Sequence, residues 1–329
     1  MPSLPEPRGP ITESLLAHLT APPHPLEDKP AMQEDPLVGD DFQLALYVCY
    51  ELHYRGFAGV DDVWEWEPSL LEFRRVLERS FEERVHEELE DAPAAASSDM
   101  AARLEELARS DDGPSLSRYI ETRATAEQLE EFLIHRSAYQ LKEADPHSWA
   151  IPRLAGRAKT ALVEIQADEY GSGVPERMHA ELFRTTMEGV GLDGSYGAYL
   201  NVIPGITLAT VNLMSMFGLQ RRWRGATVGH LALFEMTSSE PNRRYAKGLR
   251  RLGFDDASAR FFDEHVEADS VHEVIAAHDL AGSLALDEPS IAADIALGAR
   301  ALLALDRRFA AHLLEHWSQG RSSLRQVTG

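Results

Sequence analysis

From residue 41 to residue 318, apolar side chains recur at spacings of three and four, and no stretch sustains the alternation that a half-buried strand requires. That pattern confines the chain to helices packed on helices. It predicts helices over 41–55, 68–90, 98–109, 124–143, 147–170, 176–190, 199–218, 222–238, 241–252, 256–281 and 289–318, separated by breaks rich in Gly, Pro, Asp and Ser. Pro68 with Ser69, Asp145 with Pro146, and Glu240 with Pro241 supply helix-start chemistry at three of these boundaries. Residues 1–40, dense in proline and without periodicity, are expected as an extended arm, and 41–320 as one all-α domain whose first helices, to about residue 110, are peripheral.

The bulk numbers narrow the function. The 329 residues are 44% hydrophobic and 26% charged, enough for a sizeable core. A formal net charge of −22 argues against a nucleic-acid partner, which would need a basic footprint; the densest basic spot, RRWRG at 221–225, reads as a helix end or a partner for nearby acids. So acidic a surface favours cationic substrates through steering. Cys49 is the only cysteine, so this chain alone holds no internal disulfide, no Cys-rich zinc module and no iron–sulfur cluster. With no signal-like apolar run in MPSLPEPRGPITESLL, a cytoplasmic location is expected. The uncharged run from 194 to 220 carries Asn201, Thr207, Thr210, Asn212 and Ser215 around Pro204 and Gly205, which makes it a buried helix and not a membrane span.

One helix carries an unusual stripe. In FFDEHVEADSVHEV (261–274), His265, Asp269 and His272 fall within a sector about 60° wide, while Asp263, Glu267 and Ser270 project the other way. A carboxylate and two imidazoles on the inward half must be paired, hydrogen-bonded or metal-bound. A salt-bridged helix surface is the alternative. Beyond this helix, Glu143 closes RSAYQLKEAD, Glu169 closes ALVEIQADEYG, and His179 opens PERMHAELF; Gly171, Gly173 and Pro175 bend the chain between the last two. Other spacings compete. Glu83 with His86, and Glu176 with His179, offer the Glu-x-x-His pairs of a ferritin-like site, although ERVHEELE is saturated with charge. His312 and His316 stand one turn apart and could chelate zinc, and HEVIAAH at 272–278 lacks the zincin spacing.

HVEADSVH resembles the His-x3-Asp-x2-His segment of the haem-oxygenase-like diiron oxidases, the iron-containing redox enzyme family. Glu143, then Glu169 within DEYGSG, then His179 ten residues later, resemble the family's Glu, Glu and His ligands in order and spacing, and PNRRYAKGLRRLGF resembles its lead into the third ligand helix. The similarity spans about 125–285; the first 120 residues carry no motif of it. The resemblance implies a haem-oxygenase-like helical bundle, here with additional N-terminal helices, in which Glu143, Glu169, His179, His265, Asp269 and His272 hold two Fe(II) ions that react with O2, with an external electron donor. Three carboxylates and three imidazoles suit Fe(II) or Mn(II) on their own chemistry.

The family's reactions include N-oxygenation of amines and guanidines, oxidative C–C cleavage of amino and fatty acids, and desaturation. N-oxygenation of a small amino-acid-like substrate is favoured here by the acidic surface and by Asn201, Thr207 and Asn212, which could orient a polar ligand. A desaturase or lyase of a fatty or amino acid, and a non-catalytic helical scaffold, are the alternatives. A true haem oxygenase would leave four of the six residues unexplained, and a thiaminase-like enzyme would call on Cys49 as nucleophile. A homodimer is expected by default for such bundles.

Overall fold

The computed structural model describes residues 1–27, 30, 33–89 and 99–326; the side chains of Asp269 and Ser270 also lie outside the described set. The described residues form helices and no strand, as the periodicity predicts. In chain order the helices are α1 (Pro10–Leu19), α2 (Asp40–Glu51), α3 (Pro68–Glu88), α4 (Met100–Arg109), α5 (Leu116–Thr122), α6 (Ala126–Gln140), α7 (Asp145–Ser148), α8 (Gly156–Glu169), α9 (His179–Gly189), α10 (Gly205–Leu219), α11 (Arg224–Arg251), α12 (Asp256–Val274), α13 (Ser283–Asp287) and α14 (Ala292–Ser318). A π-helical stretch, Ile275–Gly282, carries α12 into α13.

Helix α11 is the axis of the bundle, packing along α12 and α14 and touching α5 and α10. Val228, Leu231 and Ala232 of α11 share a buried cluster with Ile295, Ala299 and Leu302 of α14. The two backbones nearly touch where they cross. A Cβ at Gly229 would overlap the Ile295 carbonyl, and one at Gly298 would overlap the Ala226 carbonyl, so only glycine permits this approach. A second cluster joins α1, α2 and α3 to α10, and a third joins α5, α6, α9, α12 and the end of α14. Each fully buried Leu, Ile or Phe in these clusters contributes about 1.5–3 kcal/mol through removal of apolar surface from water.

The structure departs from the sequence expectations in four places. The proline-dense first 40 residues are not wholly extended. Ile11, Leu15, Leu16 and Leu19 are buried along one face of α1, and Asp41 caps that helix by accepting from the backbone N–H groups of Ile11 and Thr12, each at 2.9 Å. Helix α11 continues through Pro241, where a break was expected. The missing N–H frees the Thr237 carbonyl, and Thr237 and Pro241 both line the cavity described below. The span 147–170 is split, with α8 starting only at Gly156, whose φ is 55°. Helix α5, only two turns long, was not anticipated.

The N-terminal helices also brace the segment carrying Glu143. Lys142 Nζ lies 3.0 Å from Glu51 Oε2 of α2, both fully buried, and stands over the rings of Tyr47 and Tyr54. Tyr196 donates its hydroxyl to the same Glu51 oxygen at 2.6 Å. Two buried charges are tolerated here because every one of these partners is in place.

Candidate metal centre

Local chain reversals aim the donor side chains. Glu143 lies in the turn after α6, and the next residue, Ala144, adopts φ 73°, a left-handed conformation costly for a residue with a Cβ. Gln166 of α8 holds that reversal by donating to the Ala144 carbonyl at 3.0 Å. Glu169 is the last residue of α8 and His179 the first of α9. Between them Gly171 has φ 69°, and a Cβ there would lie 2.7 Å from the backbone of Arg177 and Met178, so the bend anticipated at this glycine is sterically required. His265 and His272 project from α12, and Glu235 from α11.

These reversals produce two donor groups that share one residue. Glu143, Glu169, His179 and His265, all buried, each offer a ligand atom within 4.8 Å of the others. Glu169, Glu235 and His272, also buried, do the same. Glu169 belongs to both. His179 Nδ1 lies 2.9 Å from Glu169 Oε2, His265 Nε2 3.5 Å from Glu143 Oε1, and His272 Nδ1 3.4 Å from Glu235 Oε2. Thus five of the six sequence candidates converge. The sixth, Asp269, has its side chain outside the described residues, and its place in the count of three carboxylates and three imidazoles is taken by Glu235.

Glu235 was missed, yet its signal is in the sequence. It is the only charged residue between Gly225 and Ser239, so a carboxylate is carried into the apolar interior on a helix that is otherwise uncharged there. The remaining nitrogens of two imidazoles find the partners that sequence alone could not name. His265 Nδ1 bonds the Phe261 carbonyl at 2.8 Å, which turns Nε2 toward Glu143. His272 Nε2 bonds Asp168 Oδ2 at 3.1 Å, which turns Nδ1 toward Glu235. Such partners fix ring orientation and raise ligand basicity.

Electrostatics fit a site built for cations. Burial pushes the Glu169 carboxyl up, but His179, His265 and His272 outweigh it and bring it down to about 2. Burial pulls His272 down, and Glu235, Asp168 and Glu169 overcome that and raise it to about 9. His179 is likewise raised against burial, chiefly by Glu169. Imidazolium protons therefore neutralise the carboxylates, a role that a metal ion performs on displacing them. Glu143 Oε2 is buried with no hydrogen-bond partner. An orphaned atom of this kind is rare in folded proteins, and metal coordination satisfies it.

A cavity of about 310 Å³ leads to the first group, with Glu143, His265, Phe234 and Phe261 in its wall. A niche of about 10 Å³, bounded by Glu143, Glu169, Glu235, His265 and Tyr139, lies behind it. Asn201, Thr207 and Asn212, expected to orient a polar ligand, line neither. Asn212 donates to Gln43 and Thr207 bonds His135, which ties helices together, and Asn201 accepts from the Glu6 backbone N–H, which ties the N-terminal segment down. Cys49 is buried away from both cavities, and burial pushes its thiol up to about 12, which removes it as a nucleophile. Glu83, His86 and Glu176 are exposed, so no ferritin-like pair forms, and the ring nitrogens of His312 and His316 are bonded to the carbonyls of Ser323 and His312.

Comparison with known proteins bears on the same span of the chain. The model of a family described as iron-containing redox enzyme matches residues 130–307, more than half of the chain and a span that includes both donor groups. Nitrosourea synthase from Streptomyces achromogenes subsp. streptozoticus is 29% identical over 132 residues. That match covers 40% of this chain and 28% of the relative.

Proposed function

This chain belongs to the iron-containing redox enzyme family, and on that premise we propose that it is a non-haem diiron oxygenase that N-oxygenates an amine of a small amino-acid-like substrate. The observation that carries the dinuclear reading is Glu169, shared by two groups of donors that each suffice to begin a metal site. Three carboxylate charges nearly offset the four positive charges of a diferrous pair, and oxygen and imidazole donors match Fe(II). Asp269 is proposed as a further ligand, one helical turn after His265 and three residues before His272.

Bound iron would supply O2 activation, while the protein supplies position and dryness. Glu143 and His265 face the substrate cavity, so the group to be oxidised approaches between them. Asp168 and the Phe261 carbonyl hold two ligand rings in one orientation, and Phe234 and Phe261 keep water from that wall. The balanced reaction converts an amine, O2, two electrons and two protons to a hydroxylamine and water; an external reductant provides the electrons.

Two observations favour nitrogen as the target. The similar Streptomyces protein is named for making a nitrosourea, a compound with an oxidised nitrogen. The cavity wall carries the polar side chains of Arg136, Gln140, Asn242 and Asp306, which the alkyl chain of a fatty acid would desolvate without compensation. A lyase or desaturase of a fatty acid is the competing reading. Anaerobic loading with Fe(II) is expected to give about two irons per chain, where a non-catalytic scaffold gives none. O2 consumption by the loaded protein is then followed with candidate amines, amino acids and fatty acids. Acceleration by an amine, with one atom of isotopically labelled O2 in the product, is expected. Acceleration by fatty acids alone would contradict N-oxygenation.

A further inference from the structure

Two opposite charges line the 310 Å³ cavity, and no ion pair joins them. Arg136 projects from α6 and Asp306 from α14, and both line the cavity that ends on Glu143 and His265. Among the described residues neither makes an ion pair within 4.0 Å. The other cations of this wall are engaged: Arg244 pairs with Glu240 at 3.0 Å, and Arg307 with Asp112 at 3.1 Å and Asp111 at 3.3 Å. Gln140, one turn on from Arg136, steadies its guanidinium by accepting from Nη2 at 3.0 Å while donating to the Arg136 carbonyl.

An arginine and an aspartate that merely served stability would close on each other, since contact recovers part of the desolvation each has suffered. Left unpaired in the wall of one cavity, they gain most from a molecule that presents a complementary charge to each. Burial pushes the Asp306 carboxyl up to about 6, with Arg136 opposing, so a ligand ammonium that restores its charge is strongly favoured.

We propose that Arg136 and Asp306 form a zwitterion clamp, Arg136 taking the α-carboxylate and Asp306 the α-ammonium of a free amino acid, so that the side chain of that amino acid is delivered to Glu143 and His265. A guanidinium fork matches a carboxylate bidentately, and one carboxylate suffices for an ammonium. The clamp deepens the proposed function by naming its substrate class, and it rests on the cavity being the approach to the metal centre.

The test is calorimetric binding to the iron-loaded protein without O2, repeated on the metal-free protein. L-Lysine, L-arginine and L-ornithine are each compared with the analogue lacking the carboxylate and the analogue lacking the α-amine; for lysine these are cadaverine and ε-aminocaproate. At least one amino acid is expected to bind about ten- to a hundredfold more tightly than both of its analogues, the worth of one charge-assisted hydrogen-bonded contact. In Arg136→Met that amino acid falls to the level of its decarboxylated analogue, and in Asp306→Asn to the level of its deaminated one. If no amino acid of the panel outbinds its analogues, or if both variants preserve the discrimination, the clamp is wrong. The comparison on the unaltered protein stands whether or not a variant folds. Iron is counted on the same samples: about two irons without discrimination overturns the clamp alone, and discrimination without iron supports the clamp while overturning the diiron reading.

Discussion

Glu169 is the residue on which both donor groups depend, and its removal should be distinguishable from that of any other ligand. Glu169→Ala is expected to abolish iron binding at both positions. His179→Ala and His272→Ala each retain about one iron per chain, because each belongs to a single group. Iron analysis after anaerobic loading and desalting reads these outcomes directly, and equal loss in all three variants would contradict a shared residue. The same count tests Glu235, since Glu235→Ala should behave as His272→Ala does. Glu235 escaped a sequence reading that looked for His and carboxylate in short motifs; its only signal is isolation in an otherwise uncharged stretch of helix, 225–239. His265 and His272 were legible because their spacing places them on one helix face, whereas the approach of Glu235 to His272 is a tertiary contact with no local period.

A buried histidine pair gives a second prediction at this scale. His147 Nε2 lies 3.3 Å from His230 Nδ1; burial lowers His147 to about 4 and pulls His230 well below its ordinary value. The unfolded chain takes up a proton near the ordinary value of about 6.5, and the folded one refuses it until about pH 4. Between those values the unfolded state binds more protons, so stability falls as pH falls, by up to about 3 kcal/mol from His147. Urea midpoints measured near pH 7 and near pH 4.5 should therefore separate less in a His147→Gln/His230→Gln double variant than in the unaltered protein. An equal drop in both would show that the acid sensitivity lies elsewhere.

Among the elements, α11 carries most of the architecture, and its crossing with α14 depends on two glycines. Gly229→Ala should lower stability by about 1–3 kcal/mol, seen as a fall in Tm, because the added methyl meets the rigid Ile295 carbonyl and cannot be relieved by a side-chain rotation. An unchanged Tm would mean that the helices separate at no cost. This helix also shows what periodicity hides. Pro241 reads as a helix start, and the pattern of apolar residues on either side gives no warning that one helix runs through it; the decision is made by packing against α12 and α14. The opposite error occurred in the first 40 residues, where prolines at the ends of α1 masked the spacing of Ile11, Leu15 and Leu19. The bend at Gly171, by contrast, was legible because only glycine adopts that backbone conformation freely.

For the whole molecule, the metal centre and the fold should be thermodynamically linked. Six buried ionisable groups from five segments of chain meet at one point, and ions that bind only the folded state add to its stability. Anaerobic Fe(II) should raise the unfolding midpoint and a chelator should return it, with about 2.7 kcal/mol gained at a free metal concentration a hundredfold above Kd. Among the described residues no helix is long and apolar enough to cross a membrane. The all-α class followed from the period of the sequence, and five of the donors from motifs that resemble those of the iron-containing redox enzyme family. The two charges of the cavity wall could not follow from either, because Arg136 and Asp306 reach one cavity only through the packing of α6 and α14 into the bundle.

The most direct measurement is diffraction from anaerobically iron-loaded crystals at the iron absorption edge. Two anomalous peaks are predicted, both within bonding distance of the Glu169 carboxylate, one also reached by His179 and His265 and the other by Glu235 and His272. A single peak, or two peaks with Glu169 bonded to neither, would contradict the account.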